Sequence, residues 1–174
     1  VFMGENVKGL ISHENGRTFE TIKNTIAELG YTLVEPRVLR AIMYQVPQKR
    51  ERLILIAIRN DIAQNVEFHW PTPYHKVLTL RDALYKSVIY DNDVPISEGA
   101  QYPEKKKRVL AMVPQGGDWR NLPEEVAKDY MGGSWLLGGG KTGMARRLSL
   151  DEPSLTLTCS PCQKQTERCH PLET

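Results

Sequence analysis

Leu53-Ile54-Leu55-Ile56-Ala57-Ile58 is a continuous apolar run, with Glu51-Arg52 before it and Arg59-Asn60 after it. A run of this length without polar alternation reads as a β-strand covered on both faces, the pattern of a mostly parallel α/β sheet. Upstream, Phe19, Ile22, Ile26 and Leu29 fall at helical spacing, which predicts an amphipathic helix over Gly16–Leu29 with Gly30 as its stop. Tyr31 to Val34 reads as a short strand closed by Glu35-Pro36. Val1-Phe2-Met3 reads as the end of a buried strand. Two or three strands and one helix do not close such a sheet, so this segment is expected to be the last part of a doubly wound fold.

After Asn60 the pattern changes. Thr79 to Tyr85 is expected to form a short helix with Thr79 as N-cap, and Leu122 to Tyr130 another with Pro123 at N1. Residues 90–104 are polar and turn-rich. Gln115-Gly116-Gly117-Asp118 reads as a turn, and Gly132-Gly133 and Gly138-Gly139-Gly140 as loops. Little periodic core is visible here.

The 174 residues suffice for one ordinary domain or two small ones. The net charge of +2 is too small to announce a nucleic-acid partner. Its distribution says more: residues 1–100 are neutral, 101–150 carry +4 and 151–174 carry −2. A basic segment creates a local field that a net charge hides. No apolar run approaches the roughly 18 residues of a membrane span. The odd count of three cysteines, with no secretory signal, points to a reducing cytoplasm.

Three short segments carry chemistry. Glu5-Asn6-Val7 follows an apolar strand, so Glu5 stands at a sheet edge where α/β folds place ligands; a solvated loop glutamate is the alternative. In Gln48-Lys49-Arg50-Glu51-Arg52 the two arginines point to one face of an extended chain, where an anion or a base carbonyl would separate them. A solvated strand entrance is the alternative. Arg146-Arg147 leads into Ser154-Leu155-Thr156-Leu157-Thr158, a strand with one hydroxyl face, suited to backbone phosphates or simply an edge strand.

In this order the segments resemble the cytosine-C5 DNA methyltransferases. Glu5-Asn6-Val7 resembles their sixth motif, with the helix that follows it spanning His13 to Leu29. Val46-Pro47-Gln48-x-Arg50-x-Arg52 resembles the eighth motif. Arg147-Leu148, Glu152-Pro153-Ser154 and Thr156-Leu157 resemble the ninth. Thr79-Leu80-Arg81-Asp82-Ala83-Leu84 and Val113-Pro114-Gln115-Gly116-Gly117-Asp118-Trp119-Arg120 are similar to pieces of a target-recognition domain.

The resemblance implies an α/β fold: the C-terminal part of a doubly wound, Rossmann-like methyltransferase domain over residues 1–64, then a small, irregular, mostly β target-recognition domain over 65–174. It implies methyl transfer from S-adenosylmethionine to C5 of a flipped cytosine in duplex DNA, in a bacterial restriction–modification system. A thiolate adds to C6 and makes C5 carbanion-like. Glu5 is then expected to bond N3 and the exocyclic amine, for which a dry pocket and a raised pKa would help. Arg52 is expected to reach O2, and Arg50 to orient the nucleophile loop or bind a flanking phosphate.

Two loops, Gly138 to Arg147 and Thr158 to Gln165, are expected to read DNA. Lys141, Arg146 and Arg147 would contact phosphate or guanine edges. Gln163 and Gln165 would read adenine or bridge phosphates, and Thr156 would hold the backbone beside the flipped nucleotide. Gln48 joins the DNA contacts, and Asn6 the cofactor contacts. Lys105, Lys106, Lys107 and Arg108 read equally as phosphate steering or as a solvated run.

The family's first and fourth motifs, which bind the cofactor and carry the nucleophilic cysteine, are expected before residue 1, and the tenth after Thr174. The chain is therefore expected to be an excised or proteolytic fragment, or one polypeptide of a split enzyme, inactive alone. A non-catalytic DNA-binding subunit that complements such an enzyme is the alternative. Pro161-Cys162-Gln163 spells the nucleophile tripeptide but lies after the ninth motif. Cys159, Cys162, Cys169 and His170 have poor zinc spacing, and Gly140-Lys141-Thr142 lacks the glycine a phosphate loop needs.

Overall fold

The computed structural model describes residues 1–95, 101–137, 143–160 and 162–173. In chain order its main elements are β1 (Phe2–Asn6), α1 (Arg17–Glu28), β2 (Tyr31–Leu33), β3 (Arg37–Arg40), β4 (Gln48–Lys49) and β5 (Glu51–Arg59). There follow α2 (Asn60–Ala63), α3 (Leu80–Leu84), α4 (Glu104–Ala111), α5 (Glu124–Met131) and β6 (Ser154–Leu155). No helix among the described residues is long and apolar enough to cross a membrane.

The chain divides into two compact units. One comprises Val1–Gln45 and Arg50–Lys76; the other comprises Val46–Lys49 and Val77–Thr174. Residues 65–76, expected with the second domain, therefore lie in the first unit, and Val46–Lys49 lie in the second.

In the first unit the apolar run lies within β5. Leu53, Leu55, Ile56, Ala57 and Ile58 are all buried, so the strand is covered on both faces. Its neighbours are not parallel to it, however. β1 pairs along one side, β2 and β3 along the other, all antiparallel. The parallel expectation fails for β5 itself, because an unbroken apolar run reports burial on two faces and says nothing of strand direction, while β1, β2 and β3 all run one way. β1 and β2 share one direction and are linked through α1, with β5 inserted between them.

β1 is a strand, as expected, but its apolar residues are exposed: Phe2 is 47% and Met3 70% accessible. It pairs with β5 along one edge, and no other described strand covers it. Helix α1 begins at Arg17, after Gly16 at φ +87°. His13–Gly16 is instead a 3₁₀ turn, with Glu14 and Asn15 at positive φ, so the helix does not extend back to His13. Gly30, at φ +80°, closes α1 by donating its N–H to the Ala27 carbonyl at 3.0 Å.

The second unit departs further from its expected character. Among the described residues its ordered elements are mostly helical, and its strands β4 and β6 are two residues each. The mostly β expectation gives way to a core of Val109, Leu110 and Val113 from α4 and its end, Leu122 and Ala127 around α5, and Ala145 and Cys169. Tyr102, Trp119, Tyr130 and Trp135 pack around it, and the two tryptophans meet edge to face at 5.6 Å. Lys105-Lys106-Lys107-Arg108 disguises α4 in the sequence. Only Val109 and Leu110 of that helix are buried, too few to establish a period. The capping signals are plainer: the Thr79 N–H and hydroxyl both donate to Asp82 Oδ2, at 2.8 and 3.0 Å.

Candidate functional site

Strand parity builds the first cluster. Glu5 stands opposite Ile54 in the β1–β5 ladder, and Arg52 lies two positions before Ile54 on the same face. Arg50 continues that face. The diagonal relation brings Arg52 Nε to 2.6 Å from Glu5 Oε1, and Arg50 Nη2 to 3.6 Å from the same oxygen. Glu51 points the other way, to Arg40 at 2.9 Å and Lys8 at 3.2 Å. The hydrogen bond from Lys8 is the first cause that holds the Glu51 carboxyl below its ordinary range. Two successive carboxylate–guanidinium sets therefore occupy opposite faces of one strand entrance.

The Glu5 side chain is 49% accessible, that of Arg52 25%. The expected dry pocket is thus not formed by the described residues. What exists is a half-open carboxylate held by two guanidiniums. Asn6, the expected cofactor contact, is exposed and uses its Oδ1 to accept the Val7 N–H at 2.8 Å.

The second cluster joins the eighth-motif and ninth-motif segments. Gln48 and Lys49 pair in parallel with Ser154 and Leu155. The Ser154 N–H donates to the Pro47 carbonyl at 2.8 Å, and the Thr156 hydroxyl to the Lys49 carbonyl at 3.0 Å. Lys49 Nζ lies 2.6 Å from Glu152 Oε2. Thr156, expected to hold a nucleic-acid backbone, holds this chain's own backbone here.

The two expected reader loops also meet. A Cβ on Gly143 would collide with the Gln165 carbonyl, so only glycine allows this approach. Gln163 and Gln165 are exposed. Arg146 Nη2 lies 3.3 Å from Asp118 Oδ2. Lys141 and Gly138-Gly139-Gly140 lie outside the described residues.

Arg147 is the clearest correction. It is 5% accessible, and its guanidinium donates to main-chain carbonyls alone: Val113 at 2.8 Å, Leu110 at 2.7 Å, His170 at 2.8 Å, Glu173 at 3.2 Å and Pro171 at 3.3 Å. An arginine so committed offers no donor to a phosphate. It satisfies carbonyls at the end of α4 and in the chain's last turn, an unusual cap made by a buried charge. In sequence nothing separates it from Arg146.

Two residues escaped the sequence reading. Glu167 is completely buried and pairs with Lys106 at 2.5 Å. Arg168 lies beside Arg146, since the Arg147–Cys169 bridge is parallel and each arginine precedes one of its partners. Its Nε is buried without a hydrogen-bond partner among the described residues. Desolvation, then the Arg146 charge, lowers its pKa. Isolated charges in a polar stretch gave no sequence signal for either role.

Cys159 and Cys162 are exposed and Cys169 buried. Cys169 Sγ lies 3.3 Å from the Glu173 carbonyl, and burial pushes its thiol pKa up. His170 Nδ1 accepts the Glu173 N–H at 3.2 Å. Pro161 lies outside the described residues.

The model of the C-5 cytosine-specific DNA methylase family matches residues 1–165. The type II methyltransferase M.Eco47II of Escherichia coli is 66% identical over the whole chain, which covers 42% of that protein. M.PspPI of a Psychrobacter strain is 57% identical over 99% of the chain and is likewise covered to 42%. A crystal structure from E. coli, described as that of a DNA modification methyltransferase encoded within a prophage, matches 99% of the chain and 54% of its own. Its TM-score is 0.54 at 18% identity, a likeness of fold. The chain thus spans less than half the length of these curated relatives.

Proposed function

The chain belongs to the C-5 cytosine-specific DNA methylase family, and from that premise we propose that it supplies the base-edge contacts and part of the sequence reading of a DNA (cytosine-5)-methyltransferase. The reaction is methyl transfer from S-adenosylmethionine to C5 of a cytosine flipped from a specific duplex sequence, within a bacterial restriction–modification system. The names of the relatives support the system, and the family supports the chemistry.

The observation that carries this reading is Glu5 Oε1 lying 2.6 Å from Arg52 Nε and 3.6 Å from Arg50 Nη2. A cytosine edge presents an acceptor at N3, a donor at the exocyclic amine and an acceptor at O2. A carboxyl able to share a proton with N3, beside a guanidinium for O2, complements that edge and the negative charge that develops on it. In the free chain the two groups neutralise each other. Their pairing is half open to water, so separating it costs only about 0.2–1 kcal/mol. A base can take over both partners at little expense.

Flipping the base costs a few kcal/mol. Contacts from Gln48, Thr156, Arg146, Gln163, Gln165 and Arg168 are proposed to offset that cost, with Lys141 as a further contact. Arg147 is left out because its donors are used internally.

S-adenosylmethionine would supply the methyl group. The described residues do not form a cradle for it: Asn6 is a single exposed amide engaged in its own turn. The attacking thiolate is likewise assigned to sequence outside this chain, and Cys162 is not used.

The test is methyl transfer to duplex DNA from labelled S-adenosylmethionine by the complete protein carrying these residues. Arg52→Ala and Glu5→Gln are expected to lower kcat on the order of 10²–10³, with DNA affinity little changed. Equal losses in turnover and affinity would reduce both residues to general DNA contacts. Unchanged turnover would favour the reading as a DNA-binding subunit without chemistry.

A further inference from the structure

A buried ion pair in the second unit ties both reader loops to one carboxylate. Glu167, with no exposed surface, pairs through Oε1 with Lys106 Nζ at 2.5 Å and accepts the Tyr130 hydroxyl. Its Oε2 accepts the Ala145 N–H at 2.5 Å. Lys106 Nζ also donates to the Cys162 carbonyl at 2.5 Å and sits over the Tyr102 ring at 4.8 Å.

The neighbours of these atoms matter. Ala145 immediately precedes Arg146, and Cys162 immediately precedes Gln163. One carboxylate therefore fixes the main chain just before a candidate reader on one loop and, through one lysine, just before a candidate reader on the other. The loops also touch directly at Gly143 and Gln165. The Thr166 hydroxyl closes the second loop on the Ser160 carbonyl at 2.8 Å.

Burying two charges is costly, and a well-packed apolar pair of similar volume is often at least as stable. Stability alone is therefore a weak reason for Lys106 and Glu167. Geometry is a stronger one. Base reading tolerates displacements of about 0.5 Å, and an ion pair with directed hydrogen bonds fixes position where apolar packing would slide.

We propose that Lys106 and Glu167 are positioning residues for sequence discrimination, holding Arg146 and Gln163 at a fixed separation for contact with target-site base pairs. The inference rests on the reading of these loops as DNA contacts. It goes beyond that reading in assigning specificity to two residues that need not touch DNA.

The experiment uses the complete protein, S-adenosylmethionine and a pool of duplexes randomised over a short window, with methylated sequences counted. The double variant Lys106→Met/Glu167→Gln buries no charge, keeps an acceptor for the Ala145 N–H and removes the Cys162 tether. Its folding is checked by thermal melting. Discrimination between the preferred site and its single-base alterations is expected to fall at least tenfold, with a smaller loss of kcat on the preferred site.

Lys106→Arg retains the charge but not the shape. It is expected to lose three- to tenfold in discrimination, and it carries the test alone if the double variant does not fold. Folded variants with the parent sequence profile would overturn the proposal. Arg146→Ala and Gln163→Ala are measured in parallel. If neither alters the profile, the reading of these loops as DNA contacts fails, and the inference fails with it. If they alter it and the Lys106 and Glu167 variants do not, the inference alone fails.

Discussion

Arg147 Nε donates to the Val113 carbonyl at 2.8 Å, joining a segment that leads toward the ninth-motif strand to the end of α4. With its four further carbonyl acceptors, this guanidinium acts as a structural rivet. Arg147→Met would strip these carbonyls of their shared donor, although the Leu110 carbonyl keeps the Val113 N–H. We expect a total destabilisation of about 3–5 kcal/mol by urea denaturation. The salt dependence of DNA binding by the fraction that remains folded should not change. A reduced salt slope would return Arg147 to the phosphate contacts.

Arg168 should behave in the opposite way. Its place beside Arg146 and its partly exposed side chain, against 5% exposure for Arg147, make it the better phosphate ligand of the two arginine positions 147 and 168. Arg168→Ala is expected to lower the slope of log affinity against log salt by about 0.9, with little change in thermal stability. Titrations at several salt concentrations check this, and an unchanged slope rules the contact out.

Two glycines give a paired prediction. At Gly143 a methyl group would strike the Gln165 carbonyl, whereas at Gly133 it would meet nothing within 4 Å. Gly143→Ala is expected to cost about 1–3 kcal/mol. Gly133→Ala is expected to be neutral or stabilising by about 0.4–1 kcal/mol. Thermal melts of both variants decide it, and equal shifts would mean the two loops do not meet at Gly143.

Alkaline pH should find the Glu167 cluster. Burial, then the bond to Glu167, raises the Tyr130 pKa well above the ordinary tyrosine value of 10.0. Burial, then Cys162, raises that of Tyr102. A group whose pKa is raised on folding contributes stability that is whole below its unfolded value and is lost as pH climbs toward its folded value. Stability is therefore expected to decline above pH 10, with ionisation of these two tyrosines lagging in absorbance at 295 nm. Tyr130→Phe should remove part of the lagging signal. A variant that loses amplitude near pH 10 and keeps the whole lagging signal would place Tyr130 in water.

What could be read in advance follows physical lines. The Leu53–Ile58 run, the Phe19–Leu29 stripe and the Gly30 stop specify elements locally, and all three elements are present. Strand direction in β5 was not legible, because pairing is decided by partners far away in the chain. Helix α4 was hidden beneath a run of lysines. Arg50 and Arg52 sharing a face followed from extended-chain parity alone, and the diagonal to Glu5 needed only the register. Arg146 and Arg147 are adjacent and chemically alike, so the difference between a guanidinium paired with Asp118 and one that caps carbonyls appears only once Asp118, Val113 and Leu110 are in place. Glu167 was overlooked because a single acidic residue in a polar tail carries no pattern.

The placement of β5 has a consequence for assembly. Within the four-stranded sheet, the strand synthesised after all its neighbours is the one that occupies the middle. During translation β1 and β2 therefore emerge with a strand-wide gap to keep open, and every main-chain bond across that gap waits for Glu51–Arg59. Ribosomal release of that one segment should convert an open, adhesive intermediate into a closed sheet in a single cooperative event, and anything that delays it prolongs the interval in which the nascent chain can pair with a stranger.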